Sequence, residues 1–429
     1  MNSQMDTVNV IVEDVAVPRF AKVRQRLVAP ALDDLRGRLR EQLDADAIAR
    51  RVQPGQRIGI TAGSRGIHDM PQLLKHLAEW VREQGATPYI IPAMGSHGGA
   101  TAHGQLELLA HLGITAESVG AELISSMEVE PIGVTPEGVT ANYSRTALDM
   151  DGVIMCNRIK AHTDIIGEIE SGLVKIAAVG LGKHVGALEC HRKGLHNAGV
   201  RARSVFQYIS TRVNILFGVG VLENALDKTR DVAVVAVEDI DTVEPRLLQE
   251  SRQHLPRLLI PDLDVLIVYR IGKDISGDGM DPNVIGRSVV GVKNPYVHIS
   301  YVTGLDLTSA TAGNGVGIGL CDTITRRIFE QLDFPTMYTN GVTSNAFRGV
   351  IIPPFFDNHR LAIQATLRAT LAADTAGLRV ARIRDTLHLD EIYLSEALFA
   401  EVERHPDMDF LTEPAALAFD ANGDLFPPA

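Results

Sequence analysis

Two short apolar runs, each ending in a glycine-rich turn and leading into an amphipathic helix, constrain this chain more than any other feature. Arg57–Thr61 (RIGIT) runs into Ala62-Gly63-Ser64-Arg65-Gly66, and Met70-Pro71 opens a helical stretch that Gly85 closes. Pro88–Pro92 (PYIIP) runs into Ala93-Met94-Gly95-Ser96-His97-Gly98-Gly99, and a second helix, GQLELLAHLGI, follows. A short apolar run bounded by glycine or proline reads as a buried strand. Strands that alternate with helices in this way form a mostly parallel α/β sheet. Ligands in such sheets sit at the carboxyl ends of the strands, which is where Arg65 and His97 stand.

The pattern continues. Residues 152–156 (GVIMC) form another buried strand that delivers Asn157, Arg158, Lys160 and His162 to the same edge. Residues 215–222 and 232–237 are further strands, residues 173–179 a helix, and residues 116–150 a β-rich excursion. At the N-terminus, residues 8–17 (VNVIVEDVAV) alternate like a strand, and residues 20–52 are charged and helical. After a charged helix at 244–254, Pro256 and Pro261 mark a boundary near residue 260. Residues 264–270 (DVLIVYR) then begin a second series, with its own glycine-rich turn at 272–286, a strand (VHISYVTG) and a helix (DTITRRIFEQL). The expected architecture is two α/β domains with mostly parallel sheets, residues 1–260 and 261–429, with an active-site cleft between them.

A formal net charge of −12 over 429 residues argues against nucleic acid or an anionic membrane as partner. Three cysteines (Cys156, Cys190, Cys321) imply no disulfide framework and fit a reducing cytoplasm. The N-terminus has acidic residues and no apolar run long enough for a signal h-region, and no run in the chain approaches the length of a membrane helix.

The densest chemistry lies in residues 157–195. Lys175 is flanked by Leu173, Val174, Ile176 and Ala177, and a desolvated lysine gains nucleophilicity. His162 follows the basic run Arg158-Ile159-Lys160 and suits acid–base work in an anion-attracting pocket. His97, set among glycines, suits the same role. The plainer readings are loop histidines and a lysine on the outer stripe of a helix. His184 and His191 lie seven residues apart, on one helical face, with Cys190 adjoining. No CxxC or HxxxH partner accompanies them, so a structural zinc site is not indicated. None of the glycine-rich turns matches GxGxxG or GxxxxGK[ST]. Arg65 beside Ser64 reads as a phosphate or carboxylate clamp.

Ser64-Arg65, Gly95-Ser96-His97, His162, Lys175 and His191, taken in this order, resemble the nickel-pincer lactate racemase family in its broad sense of hydroxyacid racemases and epimerases. In that family a lysine is joined to a thiolated pyridinium mononucleotide that holds nickel, and a histidine sixteen residues later completes the coordination. The resemblance implies Lys175 as the cofactor anchor, with Ser64 and Arg65 binding the cofactor, and His191 as the metal ligand. It implies His97 and His162 as opposed acid–base catalysts. Their reaction would be inversion of the C2 carbon of a 2-hydroxy acid or sugar acid by reversible hydride transfer. The cofactor is a pyridinium-3-thioamide-5-thiocarboxylate mononucleotide with nickel, so cofactor-synthesis enzymes are implied partners, alongside a small hydroxy acid substrate.

Three departures accompany the match. Ala62 stands where the family often has aspartate. The loop from Gly167 to Gly172 replaces a GxSGG-like sequence. The stretch from Gly279 to Arg287 replaces a Tyr-Gln…Lys substrate stretch, which implies a substrate other than lactate. Lys273, Asn283 and Arg287 are the expected partners of its carboxylate and hydroxyl, and Glu168 and Glu170 are expected to face a polyol or a cation. Two other readings stay open: a lysine Schiff-base lyase or aldolase, and a non-catalytic anion- or nucleotide-binding protein.

Overall fold

The computed structural model describes residues 2–427 apart from residues 28, 65, 164, 195, 196, 292, 293, 295 and 345. The fold is α/β. The chain divides into two compact units, one of residues 28–255, the other of residues 1–27 together with 256–429. The first 27 residues therefore join the second unit, which differs from the expected division. The reason is β1 (Phe20–Gln25), whose strand partners are residues 391–395 and 408–410.

The 28–255 unit contains β2 (Arg57–Ala62), β3 (Thr87–Pro92), β4 (Glu122–Leu123), β5 (Val129–Val134), β6 (Thr140–Ser144), β7 (Gly152–Arg158), β8 (Ile215–Glu223) and β9 (Thr229–Ala236). Six of them form one sheet in the order β4-β3-β2-β7-β8-β9, parallel except for the β8–β9 pair. β5 and β6 form a separate antiparallel hairpin. Ile58, Ile60, Ile90, Val153, Ile154 and Met155 are completely buried. Each such side chain contributes about 1.5–3 kcal/mol by leaving water, which is why these runs carry no polar alternation. The helix Met70–Glu83 lays Met70, Leu73, Leu74, Leu77, Trp80 and Val81 against the sheet, the spacing of one helical face. Trp80 meets Phe217 edge-on, with ring centroids 6.0 Å apart.

The second unit adds β10 (Asp262–Ile271), β11 (His298–Leu307), β12 (Thr323–Thr325), β13 (Phe355–Phe356), β14 (Val380–Ile383), β15 (Glu391–Ser395) and β16 (Met408–Phe410). With β1 they form an eight-stranded sheet in the order β13-β12-β11-β10-β14-β15-β1-β16. It is parallel from β13 to β14 and antiparallel from β14 to β16. This sheet is mixed because the N-terminal strand and the two C-terminal strands close its far side.

Three local expectations are corrected. Asn2–Val12 is a helix, not a strand; it packs on the helix His359–Ala369, and Gln364 of that helix donates to the carbonyls of Glu13 and Val15 at 2.7 Å each. Residues 20–52 are not one helix: β1 comes first, and among the described residues the helices are Leu35–Leu43 and Asp46–Ala49. Asp34 starts the former by accepting the Gly37 N–H at 2.8 Å. Residues 322–332 open with β12, and helix Arg326–Gln331 begins only where the Thr325 hydroxyl accepts the Ile328 N–H. Among the described residues, no helix is long and apolar enough to cross a membrane.

Candidate active site

The sheet of the 28–255 unit grows outward from β2. The chain adds β3 and β4 on one side, then returns to add β7 and β8 on the other. At such a reversal the loops after neighbouring strands diverge and leave a crevice at their carboxyl ends. The loops that leave β2, β3 and β7 carry Ser64, His97 and His162 respectively.

Ser64 Oγ and His97 Nδ1 are in direct hydrogen-bond contact, so two residues 33 apart in sequence meet at the expected edge. His97 is exposed, and Gly98 beside it has φ +66°. A Cβ at Gly98 would lie 2.6 Å from the Gly104 carbonyl carbon, so only glycine lets the loop press this closely on the following helix. Arg65 lies outside the described residues.

Lys175 ends the short helix Leu173–Lys175, and residues Ile176–Gly180 continue as a π-helical turn. Such turns are uncommon and often accompany functional sites. Lys175 itself is half-buried. The start of its helix is fixed from two sides: Asn157 at the end of β7 donates to the Gly172 carbonyl at 2.9 Å, and the Glu244 carboxyl accepts the Val174 N–H at 2.9 Å. Gly180 lies so close to the His97 loop that a Cβ there would be 2.6 Å from the Ala93 carbonyl oxygen. The Gly95 N–H donates to the Gly180 carbonyl at 3.3 Å.

The helix Lys183–His191 ends at His191. Burial first, and the charge of Lys175 second, hold the His191 imidazole below its usual range. It is therefore neutral at pH 7, the form that can ligate a metal. Lys175 and His191 thus sense each other across the sixteen residues that separate them. Cys190 points into the core, where burial pushes its thiol up to about 11, and His184 is exposed.

His162 is held by its backbone. Its N–H donates to Glu170 Oε2 at 2.7 Å, and its ring Nδ1 accepts the Ile165 N–H at 3.3 Å. The anion-attracting pocket expected around it is not formed by Arg158, which is paired with the buried Glu223. Glu168 and Glu170, expected to face a polyol or a cation, are each engaged by an arginine. Glu168 pairs with Arg203 at 2.7 Å. Glu170 is buried, accepts the Gly167 N–H at 3.0 Å as well as that of His162, and pairs with Arg252. It is the clasp that folds the His162 loop.

Lys273, Asn283 and Arg287 belong to the other unit. Lys273 donates to the Gly277 carbonyl. Asn283 bonds to the Asp281 carboxylate through both its N–H and its side-chain amide, at 2.8 and 3.0 Å. Arg287 is engaged by Asp322 at 2.7 Å and by the Leu320 carbonyl at 2.9 Å.

Three polar residues of this edge carry no sequence signal strong enough to single them out: Gln105, Lys183 and Glu244 are all fully or almost fully buried. For Glu244 a signal exists in retrospect. It shares a helical face with Leu248 and Ser251, both buried.

No protein-family model and no curated protein matches the chain. Among solved structures, the chain is similar to the lactate racemase apoprotein from Thermoanaerobacterium thermosaccharolyticum, with a TM-score of 0.47 and 14% identity over 85% of this chain and 84% of that one. At this distance the functional reading rests on the residues of this chain alone.

Proposed function

We propose that this protein is a racemase or epimerase that inverts the C2 carbon of a 2-hydroxy acid or sugar acid, using a nickel-pincer nucleotide held by Lys175. The observation that carries the reading is that the segment bearing Lys175 is bonded to the His97 loop, Gly95 N–H to the Gly180 carbonyl, and runs on to a half-buried His191 within the electrostatic reach of Lys175. The group requires a lysine amine for its covalent link and an uncharged imidazole for its metal, and these residues supply both. When bound, it would provide a reversible acceptor for hydride from the substrate's Cα.

The remaining work falls to side chains of this chain. His97, held at Nδ1 by Ser64, can take or return the substrate's hydroxyl proton. His162, whose Nδ1 accepts a backbone N–H, carries its proton on Nε2 when neutral and presents it as a donor. Two imidazoles carried on separate loops suit a reaction that runs in both directions through a planar intermediate. Ser64 and Arg65 complete the proposed cofactor contacts, and Lys273, Asn283 and Arg287 are the proposed substrate partners. The setting proposed for this chemistry is the cytoplasm.

The test is co-expression with enzymes that build the nucleotide, followed by intact mass, nickel analysis and a racemisation screen over hydroxy acids. A mass adduct on the Lys175 peptide with about one nickel per chain, both lost in Lys175→Ala, is the expected result. A maturation-competent preparation with neither adduct nor nickel refutes the reading. A borohydride-reducible adduct with a keto acid at Lys175, retained in His191→Ala, would replace it with Schiff-base chemistry.

A further inference from the structure

We propose that Lys183 and Gln105 act together as positioning residues that clamp the His97 loop onto the segment carrying Lys175 and His191. The proposal rests on the reading of His97 as an acid–base group.

Lys183 is completely buried, yet its side chain is a cation. Its Nζ donates to the Pro92 carbonyl at 2.6 Å and to Gln105 Oε1 at 3.1 Å. Pro92 is the last residue of β3. Gln105, also completely buried, stands on the helix Ala102–His111. Its amide nitrogen donates to the Gly95 carbonyl at 3.1 Å and to the His97 carbonyl at 3.4 Å. A continuous chain of hydrogen bonds thus runs from the His191 helix, through Lys183 and Gln105, to the backbone on both sides of Ser96.

The backbone at Lys183 shows how tightly the position is determined. Its φ is +55°, a left-handed conformation that a non-glycine residue keeps only when the surroundings fix it. Burial also lowers the ammonium to about 8, so the protein carries a desolvation penalty to keep an amine here. An apolar side chain of similar length would fill the space without that penalty. What the amine adds is direction: N–H groups aimed at one strand end and one glutamine. Gln105 in turn presents its oxygen to the lysine and its N–H groups to the loop, an arrangement that no carboxylate can reproduce.

The variants Lys183→Met and Gln105→Glu separate this role from a general contribution to packing. The glutamate keeps an acceptor for Lys183 but has no N–H to give the Gly95 and His97 carbonyls. Hydrogen–deuterium exchange of residues 93–101 and exchange at the His97 imidazole C2–H are measured by mass spectrometry on the full-length protein. Folding is checked by Trp80 fluorescence. Both variants are expected to accelerate amide exchange of residues 93–101 roughly tenfold, the equivalent of one hydrogen bond. Both are also expected to shift the imidazole exchange profile of His97, while residues 57–62 of the central strand exchange as in the wild type.

Unchanged exchange at His97 in folded Gln105→Glu overturns the proposal, as does failure of both variants to fold, which would make the pair structural for the whole unit. These readouts need neither cofactor nor substrate. If the loop loosens in both variants while the protein proves to have no lysine-linked group and no racemase activity, the acid–base reading falls and the clamp stands.

Discussion

Glu244→Gln gives the sharpest test of how the Lys175 helix is held. The Glu244 side chain is 1% exposed, and its carboxyl takes the backbone N–H groups of Leu173 and Val174. Burial pushes the acid up from 4.5 to about 7, and these N–H groups only partly oppose it. A folded-state value above the unfolded one means that the native protein holds the proton more tightly. Its stabilising contribution is fully present below pH 4.5 and is lost as the pH rises through 7. The displacement corresponds to roughly 3 kcal/mol across that window.

Glutamine removes the titration. It also places an NH2 group where Glu244 Oε1 has no hydrogen-bond partner among the described residues, at a cost of about 1–3 kcal/mol. The variant is therefore expected to be less stable than wild type by about 1–3 kcal/mol at pH 4.5, and equal to it or up to about 2 kcal/mol more stable at pH 8. The chain has one tryptophan, Trp80, buried in the same unit, so urea unfolding followed by its fluorescence reports the relevant transition. A stability difference between variant and wild type that stays flat from pH 4.5 to 8 would refute the buried-carboxyl argument.

Two further outcomes are expected. Gly98→Ala should lower the urea midpoint, because its φ of +66° alone costs an alanine about 1–3 kcal/mol and the new Cβ meets the Gly104 carbonyl carbon. The three cysteines are buried, with Cys156 and Cys321 pushed up to about 12 and Cys190 to about 11. A thiol-exchange reagent at pH 8 should therefore label none of them in the native protein and all three in denaturant, and rapid native labelling would show the core to be open.

The parts of the fold that could be read from sequence are those whose cause is local. β2, β3 and β7 are buried on both faces, so each appears as an apolar run, and β2 and β3 lead straight into the glycines of their turns. The helix Met70–Glu83 declares itself through one apolar stripe. The misreadings have distant causes. β1 is a strand because Glu391–Ser395 and Met408–Phe410 flank it, and nothing within residues 20–25 reports partners more than 360 residues away. Residues 8–17 alternate over too few residues to separate a period of 2 from one of 3.6, and contacts of this end of the chain with residues 357–369 accompany the helix that ends at Val12.

The site shows the same division, and its two lysines make the reason plain. Apolar neighbours single out Lys175 as the buried lysine, yet Lys175 is half-buried while Lys183 is completely enclosed. Flanking residues report only that a helix is packed. They do not report which way one side chain leaves it, because a helix covered on most sides still has one stripe from which a long side chain can emerge. Lys183 has glycine on one side and histidine on the other, the setting of an exposed turn. Its burial follows from a left-handed backbone angle together with a carbonyl and a glutamine from the β3 loop region, 91 and 78 residues earlier. A lysine left open to solvent on one side can be reached and modified, whereas one enclosed with its N–H groups engaged can only hold other groups in place. Local hydrophobicity therefore singles out the segment, but the different surroundings of its two amines are set by tertiary contacts.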